Sequence, residues 1–491
     1  MIPIYTSADI KAMDAAEIAQ YNNELQLIKT AGDKVADAIC REHKTGRVLV
    51  FCGSGNNGGD GVAAACSLYK RGFEVTAYAV IMGKSPALRA LYEEYKTLTG
   101  QGVLPFPEDV SAIPHADILV DALLGTGARF GLAGEYLRCA RYIAGVSSAR
   151  VFAVDVPTGV DADTGRCDPF AVRAHHTVCL SGVKPGVVLY PGAEYAGTVE
   201  YHRVLQNPYL APRKRYLFTE DDVASLKRSR NTHKGTYGRL GIIGGSMEMP
   251  GSALLTAEAA VRSGAGIVTL GTDADTAKVY AMRVRETLVA SVMDAPSFQT
   301  FIDGKTALAM GPGLGRGERV KELLKLALSC GLPTVVDADG LNGLSELGPD
   351  VCKQASAPVV LTPHPKELSR LLGIPLCDVL TDPIAMAETA AKRYDCTVLL
   401  KGAVTVVAAE DATWLCNRGC AGMAKGGSGD VLTGVLGAFL AQGFQAGYAA
   451  AAAAHLCGIA GEYAMAKYGS TAMTPYNTVE MLYRAYLPHE A

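Results

Sequence analysis

A chain of 491 residues is too long for one ordinary core; at roughly 150 residues per domain it makes about three units, or two large ones. Its 46 Lys+Arg against 49 Asp+Glu leave a net charge of −3, which argues against a nucleic-acid binder held by a basic surface. Apolar residues at 49 % and charged ones at 19 % exclude a mostly disordered chain, and the one excess is glycine, 54 residues or about 11 % against a typical ~7 %.

The 13 Cys are odd in number and scattered, with no CxxC, so free thiols in a reducing cytoplasm are expected rather than a zinc knuckle or a disulfide framework. The opening MIPIYTSADIKAMDAAEIAQ has no basic segment leading into an apolar run, so it does not read as a signal peptide. Val431 to Gly461 carries no Asp, Glu, Lys or Arg, yet glycine and glutamine break it and alanine fills its second half. Two closely packed buried helices fit it better than a membrane span, and a soluble protein is expected.

In chain order, short runs rich in Val, Ile and Leu alternate with helical patterns. Strands are expected at Arg47–Cys52, Phe73–Val80, Asp117–Asp121, Val151–Asp155, Leu240–Ile243, Gly266–Leu270, Thr334–Asp337 and Thr397–Leu400. Continuous rather than alternating apolar runs mark strands buried on both faces. Helical stretches such as Gly61–Arg71 and Gly251–Ser263 then make βαβ units and a mainly parallel sheet. Two prolines and three successive basic residues interrupt this rhythm at Gln206–Asp222, which places two α/β domains at 1–212 and 213–491.

Three polar patches fall at strand ends of the first domain, where open α/β sheets bind ligands. GSGNNGGDG (Gly53–Gly61) joins a strand to a helix and offers backbone N–H groups and a helix N-terminus to an anion. DALLGTGARFG follows from Asp121 and DVPTG from Asp155. Asn57, Asp121 and Thr158 supply hard oxygens without sulfur or imidazole, a set for an alkali or alkaline-earth cation rather than zinc. Taken singly, each polar residue reads equally as a cap or a loop hydrogen bond.

In the second domain GMAKGGSGDVLTG (Gly422–Gly434) puts glycines ahead of Asp430 and an apolar helix after it. Such a loop holds phosphate oxygens, and a carboxylate there can take a proton from a hydroxyl in phosphoryl transfer. Lys401 and Gly402 end one strand just before a second, AMGPGLGRG supplies another strand-end turn, and His364 stands between Pro363 and Pro365. No Walker loop GxxxxGK[ST] is present. An N-cap aspartate and a structural histidine are the alternative readings.

GSGNNGGDG, DALLGTGARFG, DVPTG and SGVKPG resemble the NAD(P)H-hydrate epimerase family, which is Rossmann-like and interconverts R and S hydrates with a bound potassium ion. The resemblance implies that Asn56, Asn57, Gly58, Gly59, Asp60, Gly125, Thr126, Gly127, Ala128, Arg129, Phe130, Gly131 and Asp155 contact substrate. It implies K⁺ at Asn57, Asp121 and Thr158, and acid–base work by Asp155 with Lys184 as its electrostatic partner. The family often has Ser where Thr158 stands, and the hydroxyl is kept.

GPGLG, DADGLN, TPHPKE, KGAVT and GMAKGGSGDVLTG, over nearly all of residues 225–485, resemble the ADP-dependent NAD(P)H-hydrate dehydratase family, whose fold is ribokinase-like. That family removes water from the S-hydrate, consuming ADP (ATP in eukaryotic members), and restores NADH or NADPH. The resemblance implies nucleotide binding by Lys401, Gly402, Ala403, Val404, Thr405 and Gly429. It implies contact with the hydrate by Ala253, Gly313, His364 and Asp430, with Asp430 as the catalytic base and Mg²⁺ on the nucleotide. Many relatives have glycine where Lys366 stands in HPKE.

The expectation is an α/β chain: a Rossmann-like three-layer epimerase domain, then a ribokinase-like dehydratase domain, cytoplasmic and a homo-oligomer, with no nucleic acid and no membrane. A ribokinase-like small-molecule kinase is the nearest alternative, since it too activates a hydroxyl. A nucleotide-binding interaction module is the non-enzymatic one for the first domain.

Overall fold

A computed structural model describes residues 1–21, 23–127, 130–205 and 214–490. The chain divides into two compact units, Ile2–Lys214 and Arg215–Ala491.

The first unit opens with helices α1 (Ser7–Tyr21) and α2 (Glu24–Glu42). There follow β1 (Arg47–Cys52), α3 (Asn56–Lys70), β2 (Glu74–Ala79), α4 (Pro86–Thr99), β3 (Leu104–Pro105), β4 (Ile118–Ala122), α5 (Gly134–Gly145), β5 (Arg150–Val154), β6 (His176–Leu180) and β7 (Thr198–His202). The strands lie side by side as β3-β2-β1-β4-β5-β6-β7, every pair parallel. The order reverses beside β1 and β4, and such a switch point opens a crevice at the carboxyl ends of the strands.

Burial explains the unbroken apolar runs. Val48, Val50 and Cys52 join the core with α2, α3 and α4, while Leu49 and Phe51 join the core with α5 on the other face. Helices therefore cover both faces, so no strand alternates with polar residues.

In the second unit β8 (Arg239–Ile243) leads to α6 (Pro250–Arg262), β9 (Ile267–Thr272), β10 (Leu288–Ser291), β11 (Ala307–Met310), β12 (Thr334–Val336) and β13 (Val359–Leu361). Then come α7 (Pro365–Leu372), β14 (Thr397–Leu400), β15 (Thr405–Ala408), β16 (Ala412–Cys416), α8 (Ser428–Ala441), α9 (Ala446–Ala472) and α10 (Pro475–Tyr486). These strands follow the order β16-β15-β14-β13-β12-β11-β8-β9-β10. All pairs are parallel except β14–β15 and β15–β16, which form an antiparallel edge.

The charge-free stretch is α8 and most of the buried part of α9. Ala449 to Ala454 are all buried within the unit's own core, together with α6 and α10. That alanine face is used inside the subunit and supplies no argument for a homo-oligomer. Among the described residues no helix is long and apolar enough to cross a membrane.

One expected boundary moves. The glycines of NNGGD read as a loop with the helix starting at Gly61, but α3 begins at Asn56, with Gly55 as its N-cap. Contact, not flexibility, demands the glycine: a Cβ at Gly58 would lie 1.9 Å from the Gly53 carbonyl oxygen, and one at Gly61 2.4 Å from the Ala122 methyl. The expected boundary at Gln206–Asp222 falls partly on residues 206–213, outside the described residues.

Candidate active sites

In the first unit the carboxyl ends of β1, β4, β5 and β6 meet α1 around a cavity of about 800 Å³. Asn56, Asn57, Asp60, Gly125, Thr126, Gly127 and Asp155 line it. Gly58 and Gly59 are buried within the first turn of α3, and Phe130 and Gly131 line a smaller side pocket of about 180 Å³ that shares Gly125 and Thr126 with the main cavity. Ala128 and Arg129 lie outside the described residues.

Asp155 leaves β5 in a left-handed conformation, φ 68°, which a side-chain-bearing residue adopts only when its surroundings hold it there. The Lys184 ammonium donates to its carboxylate, and the Leu180 N–H donates to Asp155 Oδ1 at 3.0 Å. Lys184 also donates to the Leu180 carbonyl oxygen at 2.8 Å and is 0 % exposed. It therefore reaches the cavity only through Asp155, whose carboxylate it holds in place. Burial, then the charge of Asp155, pushes Asp14 up to about 6 and Asp60 well above the usual carboxylate range.

The expected cation residues also come together. Thr158 Oγ1 donates to Asp121 Oδ1 at 2.7 Å, the Thr158 N–H to Oδ2 at 2.8 Å, and the Leu124 N–H to Thr158 Oγ1 at 3.2 Å. A Cβ at Gly125, the next residue, would lie 3.1 Å from Asn57 Oδ1. Asp121 is fully buried and burial raises it to about 6, while the buried Asn57 Nδ2 has no partner. A buried carboxyl with no cation beside it among the described residues, a hydroxyl and the Asn57 amide oxygen beside Gly125 supply oxygens that fit a hard cation. The unpartnered Asn57 Nδ2 is a donor and plays no part in that fit. No group of three His, Cys, Asp or Glu is gathered for a metal among the described residues.

In the second unit a network forms at the carboxyl ends of β12, β13 and β14. Lys401 Nζ donates to Asp337 Oδ1 at 2.7 Å, and Thr433 Oγ1 of α8 donates to Asp337 Oδ2 at 2.8 Å. Glu367 Oε2 lies 3.9 Å from Lys401 Nζ. Burial opposes the charge on Lys401, but Asp337 and Glu367 outweigh it and raise its pKa. A Cβ at Gly429 would stand 3.3 Å from Lys401 Nζ, which puts the ammonium beside the α8 N-terminus.

Asp430 lies in the first turn of α8, after Gly427 at φ 100°. Burial, then the charge of Asp337, raises it to about 6, against a hydrogen bond from the Ser252 side chain at the start of α6. Gly313, at φ 64°, packs against Ser252, where a Cβ would approach to 3.1 Å. Ala253 is 0 % exposed beneath Gly244 and offers shape rather than a methyl surface. Gly402 and Ala403 are exposed in the turn before β15, Val404 is buried and Thr405 opens the strand.

His364 does the structural job first. It caps α7, its Nδ1 accepting from the N–H groups of Lys366 at 3.1 Å and Glu367 at 3.3 Å. Burial and Lys401 lower its pKa, so it is held neutral. Lys366 sits in the first turn of α7 and is absent from the residues with positive φ, so no glycine is needed there.

The sequence motifs passed over Asp14, on a helix with no motif, and gave Thr433 no role although it stands inside GMAKGGSGDVLTG. Asp337 stood inside DADGLN without a role, and the one local signal, Ala338 at φ 47°, is visible only in the fold.

Comparison with known proteins finds relatives of both units. A family model described as YjeF-related protein N-terminus matches residues 24–186, and one described as NAD(P)H-hydrate dehydratase matches residues 240–484. A bifunctional NAD(P)H-hydrate repair enzyme of Moorella thermoacetica is 34 % identical over 98 % of this chain and 96 % of its own. The chain belongs to the bifunctional NAD(P)H-hydrate repair enzyme family. The Escherichia coli member is 34 % identical, covering 90 % of this chain and 85 % of that one. The ADP/ATP-dependent NAD(P)H-hydrate dehydratase of Bacillus subtilis, co-crystallised with ATP/Mg²⁺, aligns with TM-score 0.51 at 28 % identity over 56 % of this chain and 98 % of its own. Epimerase and dehydratase domains are thus joined in one polypeptide, and the kinase and binding-module alternatives fall away.

Proposed function

We propose that residues 1–212 interconvert the R and S hydrates of NADH and NADPH, and that residues 213–491 return the S-hydrate to the dihydronicotinamide with ADP as co-substrate. The observation that carries the second half is Asp430, a half-buried carboxyl raised to about 6 at a helix N-terminus beside Lys401. In that position Asp430 takes the proton of the C6 hydroxyl. The oxygen attacks the terminal phosphorus of ADP and AMP departs. The ring nitrogen lone pair then expels phosphate from C6, and loss of a C5 proton completes the dihydronicotinamide. Lys401 and the α8 N–H groups hold the phosphate oxygens as charge moves onto the leaving group. Gly402–Thr405 and Gly429 line the nucleotide, and Ala253, Gly313 and His364 shape the hydrate pocket.

Asp337, Glu367 and Asp430 bring more negative charge than Lys401 balances, which suits a nucleotide arriving with Mg²⁺, as in the B. subtilis relative. Mg²⁺ supplies charge neutralisation on the phosphates. In the first unit Asp155 is the acid–base group, held by Lys184, and Asn57 to Asp60 with Gly125 to Gly131 position the hydrate. Asn57, Asp121 and Thr158 would hold K⁺, which supplies a fixed positive charge beneath the Gly125 turn. Thirteen free cysteines support a reducing, cytoplasmic setting.

The test supplies mixed R,S-hydrate of NADH and follows recovery of dihydronicotinamide absorbance with ADP, with ATP and with neither. Recovery with ADP beyond the S fraction, faster than spontaneous epimerisation, is expected. No recovery with either nucleotide would sink the dehydratase assignment, and recovery that halts at the S fraction would sink the epimerase one.

A further inference from the structure

Asp14 belongs to the first cavity by geometry alone. It lies ahead of the residues 24–186 that match the family model, on α1, whose Ile10, Met13 and Glu17 are buried. Its carboxyl group lines the same cavity as Asp60 and Asp155 but comes from a different wall: α1 for Asp14, the carboxyl end of β5 for Asp155.

The charges in that cavity do not balance. Lys184 is bound to Asp155 and is fully buried. Its more distant attraction reaches Asp14 and Asp60 against burial and the repulsion of Asp155, to which Glu17 adds at Asp14 and Asp14 adds at Asp60. Lys11 of α1 also lines the cavity, yet burial and repulsion between the carboxyls still raise Asp14 and Asp60. The cavity thus holds one carboxylate bound by an ammonium and, on the α1 wall, one carboxyl whose pKa is pushed up to about 6.

Inverting a carbon that bears a hydroxyl and a ring nitrogen by loss and return of water needs both states at once. Water leaves from one face with a proton supplied to it, and water enters at the other face with a proton removed. Because the two epimers interconvert, each group must serve as acid in one direction and base in the other.

We propose that Asp14 is the second acid–base residue of epimerisation, paired with Asp155 across C6 of the hydrate; this rests on the reading of the cavity as the epimerisation site. Protonated Asp14 gives its proton to the C6 hydroxyl. The C6–O bond breaks, water departs, and the nitrogen lone pair forms the N=C6 double bond. A second water adds to the opposite face, its electrons return the pair to nitrogen, and its proton goes to Asp155. Asp155 loses that proton to bulk water and Asp14 regains one from it, so the cycle closes without net change.

The experiment uses the full chain and pure S-hydrate without nucleotide, in ¹⁸O-labelled water, and separates the epimers by chromatography. Wild type should place one ¹⁸O at C6 per inversion. Asp14→Asn should slow inversion about 100-fold in kcat, the lower end of what one acid–base group contributes, with KM little changed, while Asp14→Glu recovers part of the rate. In the wild type, the direction in which Asp14 is the acid should lose rate as pH rises past about 6, and this limb should vanish in Asp14→Asn.

Asp14→Asn at wild-type rate with Asp155→Asn slow would overturn the role of Asp14 alone. Both variants at wild-type rate would overturn the cavity as the epimerisation site. A loss in Asp14→Asn that appears in KM with the pH limb intact would make Asp14 structural, and inversion without ¹⁸O uptake would overturn the water-loss step.

Discussion

The two sites use the same pair of groups with their parts exchanged. Each binds a lysine to an aspartate at strand carboxyl ends, Lys184 to Asp155 and Lys401 to Asp337. In the first unit the lysine is sealed, 0 % exposed, and the aspartate lines the cavity. In the second the aspartate is sealed, 1 % exposed and also bonded to Thr433, while the lysine keeps 21 % of its side-chain surface beside a helix N-terminus. On the proposed function, a hidden cation holds the acid–base carboxylate, whereas a hidden carboxylate holds the cation that takes phosphate. The exchange suits the two chemistries proposed: acid–base exchange of water in one site, phosphoryl transfer in the other. It also leaves the second site needing a separate base, Asp430.

The largest effect should come from Asp430→Asn. Its loss should lower S-hydrate conversion about 1,000-fold, within the range of a lost general base, with ADP binding kept in a calorimetric titration. Lost ADP binding would make Asp430 part of the nucleotide site and blur the contrast. Next, Asp155→Asn should cut R-hydrate use about 100-fold and leave S-hydrate use alone, checked with each pure epimer.

The lysines give the sharpest contrast. Lys401→Met removes a charged donor to phosphate, a loss of ~2 kcal/mol or about thirtyfold in ADP affinity. Lys184→Met should leave ADP affinity unchanged and instead destabilise the first unit by ~3 kcal/mol, because it strands Asp155 beside the cavity without its partner. Equal effects of the two on nucleotide binding, by titration and thermal melting, would erase the distinction.

Much of the architecture is legible in sequence because strands buried on both faces write it plainly; Thr397–Leu400 has the same ends in both readings. Helix starts are less legible where glycine has two causes. NNGGD looks like a loop, yet Gly58 and Gly61 are small because backbone and side chains of the sheet press on α3. The sites divide similarly. Asp430 and Asp155 stand in glycine-marked motifs, and the family resemblance carried by those motifs points to them. Asp14 sits on a helix with no turn to mark it, and Asp337 earns its place through Lys401, 64 residues away in sequence. Neither partnership leaves a local pattern, and which member of each lysine–aspartate pair is hidden depends on packing.

A smaller effect should follow pH. Asp430 must be ionised to act as base, and its carboxyl is raised to about 6. The kcat/KM for S-hydrate should therefore fall tenfold per pH unit below about 6 and level off above it. A flat profile from pH 5 to 8 would mean that another group takes the proton.

The smallest effect tests the cation residues, and its sign is fixed by Asp121. Burial raises its carboxyl from 3.8 to about 6 in the folded chain. A raised folded pKa favours the folded state while the group is protonated. That contribution is complete below the unfolded value near 4 and lost as pH rises through about 6, worth ~3 kcal/mol for a shift of about two units. A cation held by Asn57, Asp121 and Thr158 reverses this by favouring the ionised carboxyl. Added KCl, against choline chloride at equal ionic strength, should then raise the melting temperature of the first unit by a few degrees at pH 8 and hardly at all at pH 4.5. Asp121→Asn should remove the difference. An equal KCl increment at both pH values would place the ion elsewhere, and the first site would then differ from the second in having no cation of its own beyond Lys184.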